Sequence, residues 1–293
     1  MPAKKNIIFD GKTFSLREFK MKWLLPNPSI AVIAKRGSGK SWVCRDLLRH
    51  LSDVHKIPGG IIISKTERVN PFYCQFFPDL FIHYEYSTEL LEKVFYRQKF
   101  LSDKLEELKP KGKKFDPRIF LVMDDCLGSK LDLLKDKPIA ELFFNGRHYF
   151  ITYIITMQAP LGITPEYRGN IDYIFLLADD FVSRQKKIYD HYAGMFPYFN
   201  AFKAVFTQAT LDHHCLVIIN RSNNSQDISK KVFWYKATDI EISAIGNRQF
   251  NDFHTNNYDK AWKKKEGQLD ANDFFNKRKK IVGSIKVNRL GEK

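Results

Sequence analysis

The most informative segment of the chain is Ser29-Ile30-Ala31-Val32-Ile33-Ala34-Lys35-Arg36-Gly37-Ser38-Gly39-Lys40-Ser41. Its apolar residues 30–33 predict a short buried strand. From Trp42 to Leu51, apolar residues recur at helical spacing, which predicts an amphipathic helix. A glycine-rich turn between a buried strand and a helix is the setting of a phosphate-binding loop, because the glycines allow a tight turn and the helix N-terminus attracts anions.

The residue types in this loop indicate nucleotide chemistry. Lys40 is expected to reach the β- and γ-phosphates of ATP, and the Ser41 hydroxyl to ligate Mg²⁺. The expected cofactors are therefore ATP and Mg²⁺. The predicted nucleotide-binding residues are those of the loop and the first helical turn: Ala34, Lys35, Arg36, Gly37, Ser38, Gly39, Lys40, Ser41 and Trp42.

A second element supplies carboxylates. Residues 119–123 predict a buried strand that ends in Asp124-Asp125. The carboxyl ends of parallel strands border the crevice where α/β sheets bind ligands. Asp124 is predicted to hold Mg²⁺, directly or through water, and Asp125 to orient or deprotonate the attacking water. Gln158 follows another apolar strand. Its amide can contact the γ-phosphate or the attacking water; alternatively, it is an ordinary amide at the end of a strand.

Three arginines are candidates for a catalytic arginine. Arg147 precedes the strand that leads to Gln158, and Arg168 precedes the next strand. Either is a surface residue or, in a ring-forming ATPase, an arginine finger that reaches the neighbouring subunit's γ-phosphate. Arg36, inside the loop, would act within its own subunit.

Apolar strands alternate with helices along most of the chain, which predicts an α/β fold with a mostly parallel sheet covered on both faces. Residues 215–219 and 231–235 predict a hairpin at the edge of this sheet. Beyond Lys236 the apolar periodicity fades. We therefore expect a P-loop ATPase domain over 1–236 and a basic C-terminal extension over 237–293.

The charge balance favours a polyanionic partner. The 293 residues include 48 Lys and Arg against 33 Asp and Glu, a net charge of +15. The positive charge is concentrated at 109–114, 263–265 and 277–280, which are candidate contacts for phosphate backbone or, alternatively, solubilising or targeting segments. No apolar run approaches the ~18 residues of a membrane helix. We expect a soluble, intracellular protein without membrane insertion.

The motifs taken together resemble a known family. A phosphate-binding loop, a strand ending in Asp124-Asp125, residues 146–148 leading to Gln158, and Arg168-x-Asn170-x-Asp172 are similar to the DNA-packaging ATPases of nucleocytoplasmic large DNA viruses, virophages and polintons. These enzymes belong to the FtsK–HerA branch of P-loop ATPases. The resemblance covers about residues 30–236. The chain makes two departures. The loop opens with Ala34-Lys35-Arg36 rather than Gly-Pro-x, and Asp125 stands where the wider class of motor ATPases usually has glutamate.

The resemblance implies an additional-strand, RecA-like P-loop fold with strand order 5-1-4-3-2. It implies a homo-oligomeric ring, a pentamer or hexamer, that pumps double-stranded DNA into a capsid. The implied partners are DNA and capsid or portal-vertex proteins, in the host-cell cytoplasm (the virus factory) or the virion. Two alternatives stay open: a P-loop enzyme acting on a small substrate, such as a kinase, and a non-enzymatic DNA-binding scaffold with a degenerate nucleotide site.

Overall fold

The computed structural model describes residues 4–9, 11–126, 134–221, 227–239, 242 and 244–262. Its strands are β1 Lys4–Phe9, β2 Lys12–Glu18, β3 Ser29–Ile33, β4 Gly60–Ser64, β5 Ile82–His83, β6 Ile119–Asp124, β7 Ile151–Met157, β8 Tyr173–Leu176, β9 His214–Ile219 and β10 Val232–Lys236. Its helices are α1 Lys40–Asp53, α2 Thr88–Leu108, α3 Lys137–Asn145, α4 Pro165–Gly169, α5 Val182–Tyr192, α6 Phe199–Ala209 and α7 Arg248–Asn257. Short 3₁₀ helices link several of them.

The strands form one mixed sheet of ten strands, in the order β1-β2-β10-β9-β8-β3-β7-β6-β4-β5. The order 5-1-4-3-2 is therefore wrong as a description of the whole sheet. The five strands it referred to are β3, β4, β6, β7 and β8, which lie together as β8-β3-β7-β6-β4 and pair in parallel. Their carboxyl ends consequently face one edge of the sheet, which is where the candidate site forms.

The predicted C-terminal hairpin exists, but it does not lie at the sheet edge. β9 and β10 pair antiparallel, with Phe233 opposite Val217. β2 then pairs with β10 in parallel, and β1 extends the sheet beyond β2. The two N-terminal strands were not predicted. They form a local hairpin, with Phe9 opposite Lys12, and β2 joins the sheet through β10, which lies more than 200 residues away in the chain.

Both faces of the central strands are covered. Within β3, Ala31 and Ile33 belong to one apolar cluster, and Ile30 and Val32 belong to the other. This alternation follows from the two-residue period of a strand, and it explains why these strands read as uninterrupted apolar runs. Apolar residues of α1 pack on one face, whereas apolar residues of α2, α3, α5 and α6 pack on the other.

The chain divides into two compact units, residues 1–254 and 255–293. Residues beyond the predicted domain limit at 236 belong to the first unit. The Thr238 amide donates to buried Asp46 of α1 at 3.0 Å, and the Ile245 amide donates to the Phe76 carbonyl. The Phe250 ring stacks on Phe81 with centroids 4.2 Å apart. The assignment of functions to an ATPase domain and a basic extension stays a prediction.

Candidate nucleotide-binding site

The glycine-rich loop joins β3 to α1 in the predicted way. Gly37 and Gly39 have φ values of +79° and +96°, in the left-handed region that favours glycine. The Ser38 hydroxyl donates to the Lys35 carbonyl at 2.6 Å and closes the turn. Gly39 is the N-cap residue of α1 and has no side chain to cap it. The first amides of α1 are therefore available to an anion.

Asp124 is fixed at the carboxyl end of β6. Its carboxylate is 4% exposed and accepts hydrogen bonds from the Thr156 hydroxyl at 2.6 Å and the Ser64 hydroxyl at 3.2 Å. The same Thr156 oxygen accepts the Asp125 amide at 3.0 Å. Thr156 thus ties the side chain of one acid to the backbone of the next.

Asp125 adopts an uncommon backbone conformation, with φ at +51°. A residue with a Cβ is sterically strained in this region of φ/ψ space. Such a conformation persists where surrounding contacts hold the residue in place. Here the contacts are the Thr156 hydroxyl on the amide, and Lys40 and the Gln158 amide on the carboxylate. The conformation turns Asp125 toward the glycine-rich loop.

Lys40 lies between the two acids. Its ammonium bonds to Asp125 and is 3.3 Å from the Asp124 carboxylate. Burial disfavours the ammonium, but the two carboxylates outweigh this effect, so the pKa of Lys40 lies above its usual value. The Gln158 amide donates to Asp125 at 2.9 Å. The structure thus brings together four residues that the sequence predicted as site residues: Lys40, Asp124, Asp125 and Gln158.

The other loop residues are placed around this centre. Ala34 is buried and its amide donates to the Met157 carbonyl at 3.0 Å. The Lys35 ammonium is 3.2 Å from Asp180 and 4.7 Å from the Phe181 ring centroid. Arg36 is exposed, and Ser41 is partly exposed in the first turn of α1. Trp42 is exposed in the same turn.

Arg147 and Arg168 are not brought to this centre. Arg147 precedes the amino end of β7, and Arg168 lies in α4, which precedes the amino end of β8. The loop lies at the carboxyl end of β3, the parallel neighbour of both strands. The length of β7, seven residues, corresponds to roughly 20 Å. Arg168 donates instead to the Ile163 carbonyl at 2.9 Å. Within one chain, neither arginine reaches the site.

Sequence reasoning missed Arg184 of α5. Its guanidinium donates to the Gln158 carbonyl and to the buried carboxylate of Asp179. It missed the roles of Thr156 and Ser64 as well. Thr156 and Ser64 could have been found from the sequence, because each is a hydroxyl residue at or next to the end of an otherwise apolar strand. A hydroxyl in a buried strand needs a polar partner.

A magnesium ion fits the chemistry of these residues. Ser41 and Asp124 offer a hydroxyl and a carboxylate, which are hard oxygen donors. Within the described ranges, no three His, Cys, Asp or Glu side chains are grouped so that they could hold a metal ion. Mg²⁺ at phosphate sites takes one or two protein ligands and the rest from phosphate and water, so these two oxygen donors are sufficient.

The basic segments have different positions. Residues 109–111 form a 3₁₀ helix after α2, where the chain returns toward the amino end of β6, away from the glycine-rich loop. Lys111 pairs there with Glu107 at 3.0 Å. The clusters at 263–265 and 277–280 lie outside the described residues.

In the part of the chain that is described, no helix is long and apolar enough to span a membrane.

Comparison with protein families gives a match over residues 16–180 to the family of the poxvirus A32 protein. Protein L437 of Acanthamoeba polyphaga mimivirus is 44% identical over 277 residues, which cover 94% of this chain and 96% of L437. Protein 075L of invertebrate iridescent virus 6 is 32% identical over 266 residues, which cover 87% of this chain and 99% of 075L.

The fold is similar to that of a solved structure, the genome packaging NTPase B204 from Sulfolobus turreted icosahedral virus 2 in complex with AMP. The TM-score is 0.50 and the identity 16%, over 73% of this chain and 100% of B204. B204 in complex with sulfate gives a TM-score of 0.51 at 18% identity. At this identity the likeness concerns the fold alone, which is of the α/β P-loop NTPase type.

Proposed function

The chain belongs to the poxvirus A32 protein family, and we propose that it is a Mg²⁺-dependent ATPase that moves double-stranded DNA into a viral capsid. The observation that carries the proposal is the convergence of Lys40, Asp124, Asp125 and Gln158 beside the glycine-rich loop. The family, and the similar fold of B204, which is a genome packaging NTPase, support the biological setting.

The residues of the chain have distinct roles in the proposed reaction. The loop amides and Lys40 bind the triphosphate, and Lys40 leaves its ion pairs with the acids when phosphate arrives. Ser41 and Asp124 hold Mg²⁺, which neutralises phosphate charge when bound. Asp125 orients the attacking water and accepts its proton. Gln158, whose side-chain amide donates to Asp125, senses the loss of the γ-phosphate.

The working form in this proposal is a homo-oligomeric ring. Arg168 or Arg147 of one subunit completes the site of its neighbour, since neither reaches the site of its own chain. The DNA is held through its phosphate backbone, because a packaging motor must pass any sequence. The basic segments around Lys111 and in the C-terminal extension are the proposed DNA contacts, and capsid or portal-vertex proteins the proposed docking partners.

Steady-state ATP hydrolysis with and without long double-stranded DNA tests the proposal. We expect DNA to stimulate hydrolysis, and Lys40→Ala to lower the rate roughly 100-fold or more, since it removes a group that stabilises charge on the phosphates. Lys93→Ala is the matched control, because Lys93 is an exposed lysine on α2 paired only with Glu89 among the described residues.

The outcomes separate the proposal from its alternatives. A rate of ATP hydrolysis that is the same with and without DNA would favour an enzyme with a small substrate. An assembled ring that binds DNA without hydrolysing ATP, and whose DNA binding is unchanged in Lys40→Ala, would favour a scaffold. Oligomeric state is measured in each sample, because an unassembled chain lacks the arginine of its neighbour.

A further inference from the structure

Trp42 is a large aromatic residue that the fold leaves open to solvent. It lies in the first turn of α1, next to Ser41, and 43% of it is exposed. Its ring is stacked by the guanidinium of Arg45, which is 3.9 Å from the ring centroid. An aromatic side chain in this state still has apolar area to bury.

Arg45 is itself held in place. Its side chain is only 14% exposed and lies 3.3 Å from the Asp239 carboxylate. The same nitrogen donates to the Thr238 carbonyl at 3.4 Å. The guanidinium is therefore anchored on one side and stacked on the indole on the other, which favours a single orientation of the ring. Ordering before binding reduces the entropy lost when a ligand stacks.

The position of Trp42 matches one part of a nucleotide. In a phosphate-binding loop the backbone amides cradle the α- and β-phosphates, while the lysine reaches the β- and γ-phosphates. We take the base, which is attached through ribose to the α-phosphate, to leave the loop on the side of the first helical turn. Trp42 is the exposed aromatic residue of that turn.

We propose that Trp42, backed by Arg45, is the platform on which the base of a purine nucleotide stacks. This inference rests on the proposed function, because it requires the glycine-rich loop to bind nucleotide phosphates. Arg45 covers one face of the indole and the base covers the other. Since stacking on a flat ring does not read the exocyclic groups of a base, adenine and guanine nucleotides are affected alike.

Binding of three probes to the full chain tests the platform: ADP, GDP and inorganic tripolyphosphate, each with Mg²⁺, measured by calorimetry. We expect Trp42→Ala to weaken ADP and GDP binding roughly tenfold, within the range for loss of one base–aromatic stack. Trp42→Phe retains most of the affinity. Tripolyphosphate, which has no base, binds all three proteins equally. Tyr96→Ala, at an exposed aromatic residue of α2, changes nothing.

Tryptophan emission gives an independent readout. The chain has four tryptophans, Trp23, Trp42, Trp234 and Trp262. We expect ADP to change the emission of the unmodified chain and of Tyr96→Ala, but not of Trp42→Phe. Tripolyphosphate should leave the emission unchanged in every variant.

Three results would overturn the platform. Equal ADP affinity in Trp42→Ala and the unmodified chain would remove the stacking role while leaving the nucleotide site intact. An equal loss of ADP and tripolyphosphate affinity in Trp42→Ala would mean that Trp42 shapes the loop and does not contact the base. Failure of the unmodified chain to bind any of the three probes would refute the proposed function itself.

Discussion

At the scale of single residues, Thr156 connects the two acids of the site. It is fully buried, donates to the Asp124 carboxylate and accepts the Asp125 amide. The second bond helps to hold Asp125 at a positive φ, a conformation that costs ~1 kcal/mol or more for a residue with a Cβ. We therefore regard Thr156 as a positioning residue for the proposed hydrolysis.

Thr156→Val keeps the shape of the side chain and removes its hydroxyl. We expect about 1–3 kcal/mol of destabilisation, because the Asp125 amide loses its partner in a buried site. We expect the hydrolysis rate to fall roughly tenfold or more as Asp125 moves, while ATP binding persists. Urea unfolding, single-turnover hydrolysis and binding of a non-hydrolysable ATP analogue measure these effects.

The same strand offers a matched control. Thr152 of β7 is also fully buried, but its hydroxyl has no hydrogen-bond partner among the described residues. Thr152→Val should leave hydrolysis unchanged and stability unchanged or slightly raised. Thr156→Ser should retain most of the activity. If Thr156→Val and Thr152→Val behaved alike, Thr156 would have no special role in the site.

At the scale of elements, buried Asp46 joins α1 to the chain after β10. Its carboxylate accepts hydrogen bonds from Arg49 in the same helix, from the Tyr235 hydroxyl, and from the amide and hydroxyl of Thr238. Burial alone would raise the pKa of Asp46. The four donors outweigh it and hold the pKa below its usual value of 3.8.

A depressed pKa gives a defined pH dependence of stability. The ionised form of Asp46 stabilises the folded chain at pH values above its usual pKa, and this contribution is lost as pH falls through the lower folded-state pKa. We expect Asp46→Asn to destabilise the chain by about 3 kcal/mol at pH 7, since it leaves donors unpaired. The difference from the unmodified chain should narrow below about pH 4.

Urea unfolding between pH 7 and pH 3 measures this dependence. Asp53→Asn is the control, because Asp53 is an exposed carboxylate at the end of the same helix. Its effect should stay within about 0.5 kcal/mol. A constant difference between Asp46→Asn and the unmodified chain across the pH range would contradict the assignment.

At the scale of the whole molecule, the sheet separates the residues that the proposed reaction requires. The glycine-rich loop and the acids lie at the carboxyl ends of the parallel strands, whereas Arg147 and Arg168 precede the amino ends of β7 and β8. In the proposed ring, a contact between either arginine and a nucleotide would come from a second copy of the chain.

Mixed oligomers test this arrangement. We expect Arg168→Ala and Lys40→Ala to be inactive when each is assembled alone. If Arg168 acts in trans, mixing the two variants should restore part of the hydrolysis, because some interfaces join an intact loop to an intact arginine. The same mixture with Arg147→Ala tests the other candidate. Absence of recovery in oligomers shown to contain both variants would exclude the arginine tested.

The central part of this protein follows from local features of the sequence. A strand, a glycine-rich turn and a helix are encoded within consecutive residues, so the conformation of 29–53 follows from local patterns. Gly37 and Gly39 adopt the positive φ values that their side-chain-free backbones allow. Asp124, Asp125 and Gln158 follow apolar strands, and parallel pairing places the ends of such strands side by side.

Other features depend on residues that are distant in the chain and meet only in the folded protein. The hairpin of β1 and β2 joins the sheet because β2 pairs with β10, and the predicted edge hairpin lies inside the sheet for the same reason. The contacts of Thr156 and Arg184 with the site residues join strands and helices that are separate in the chain. Local periodicity carries no information about such pairings. They depend on which strand edges and which buried polar groups come together when the sheet assembles.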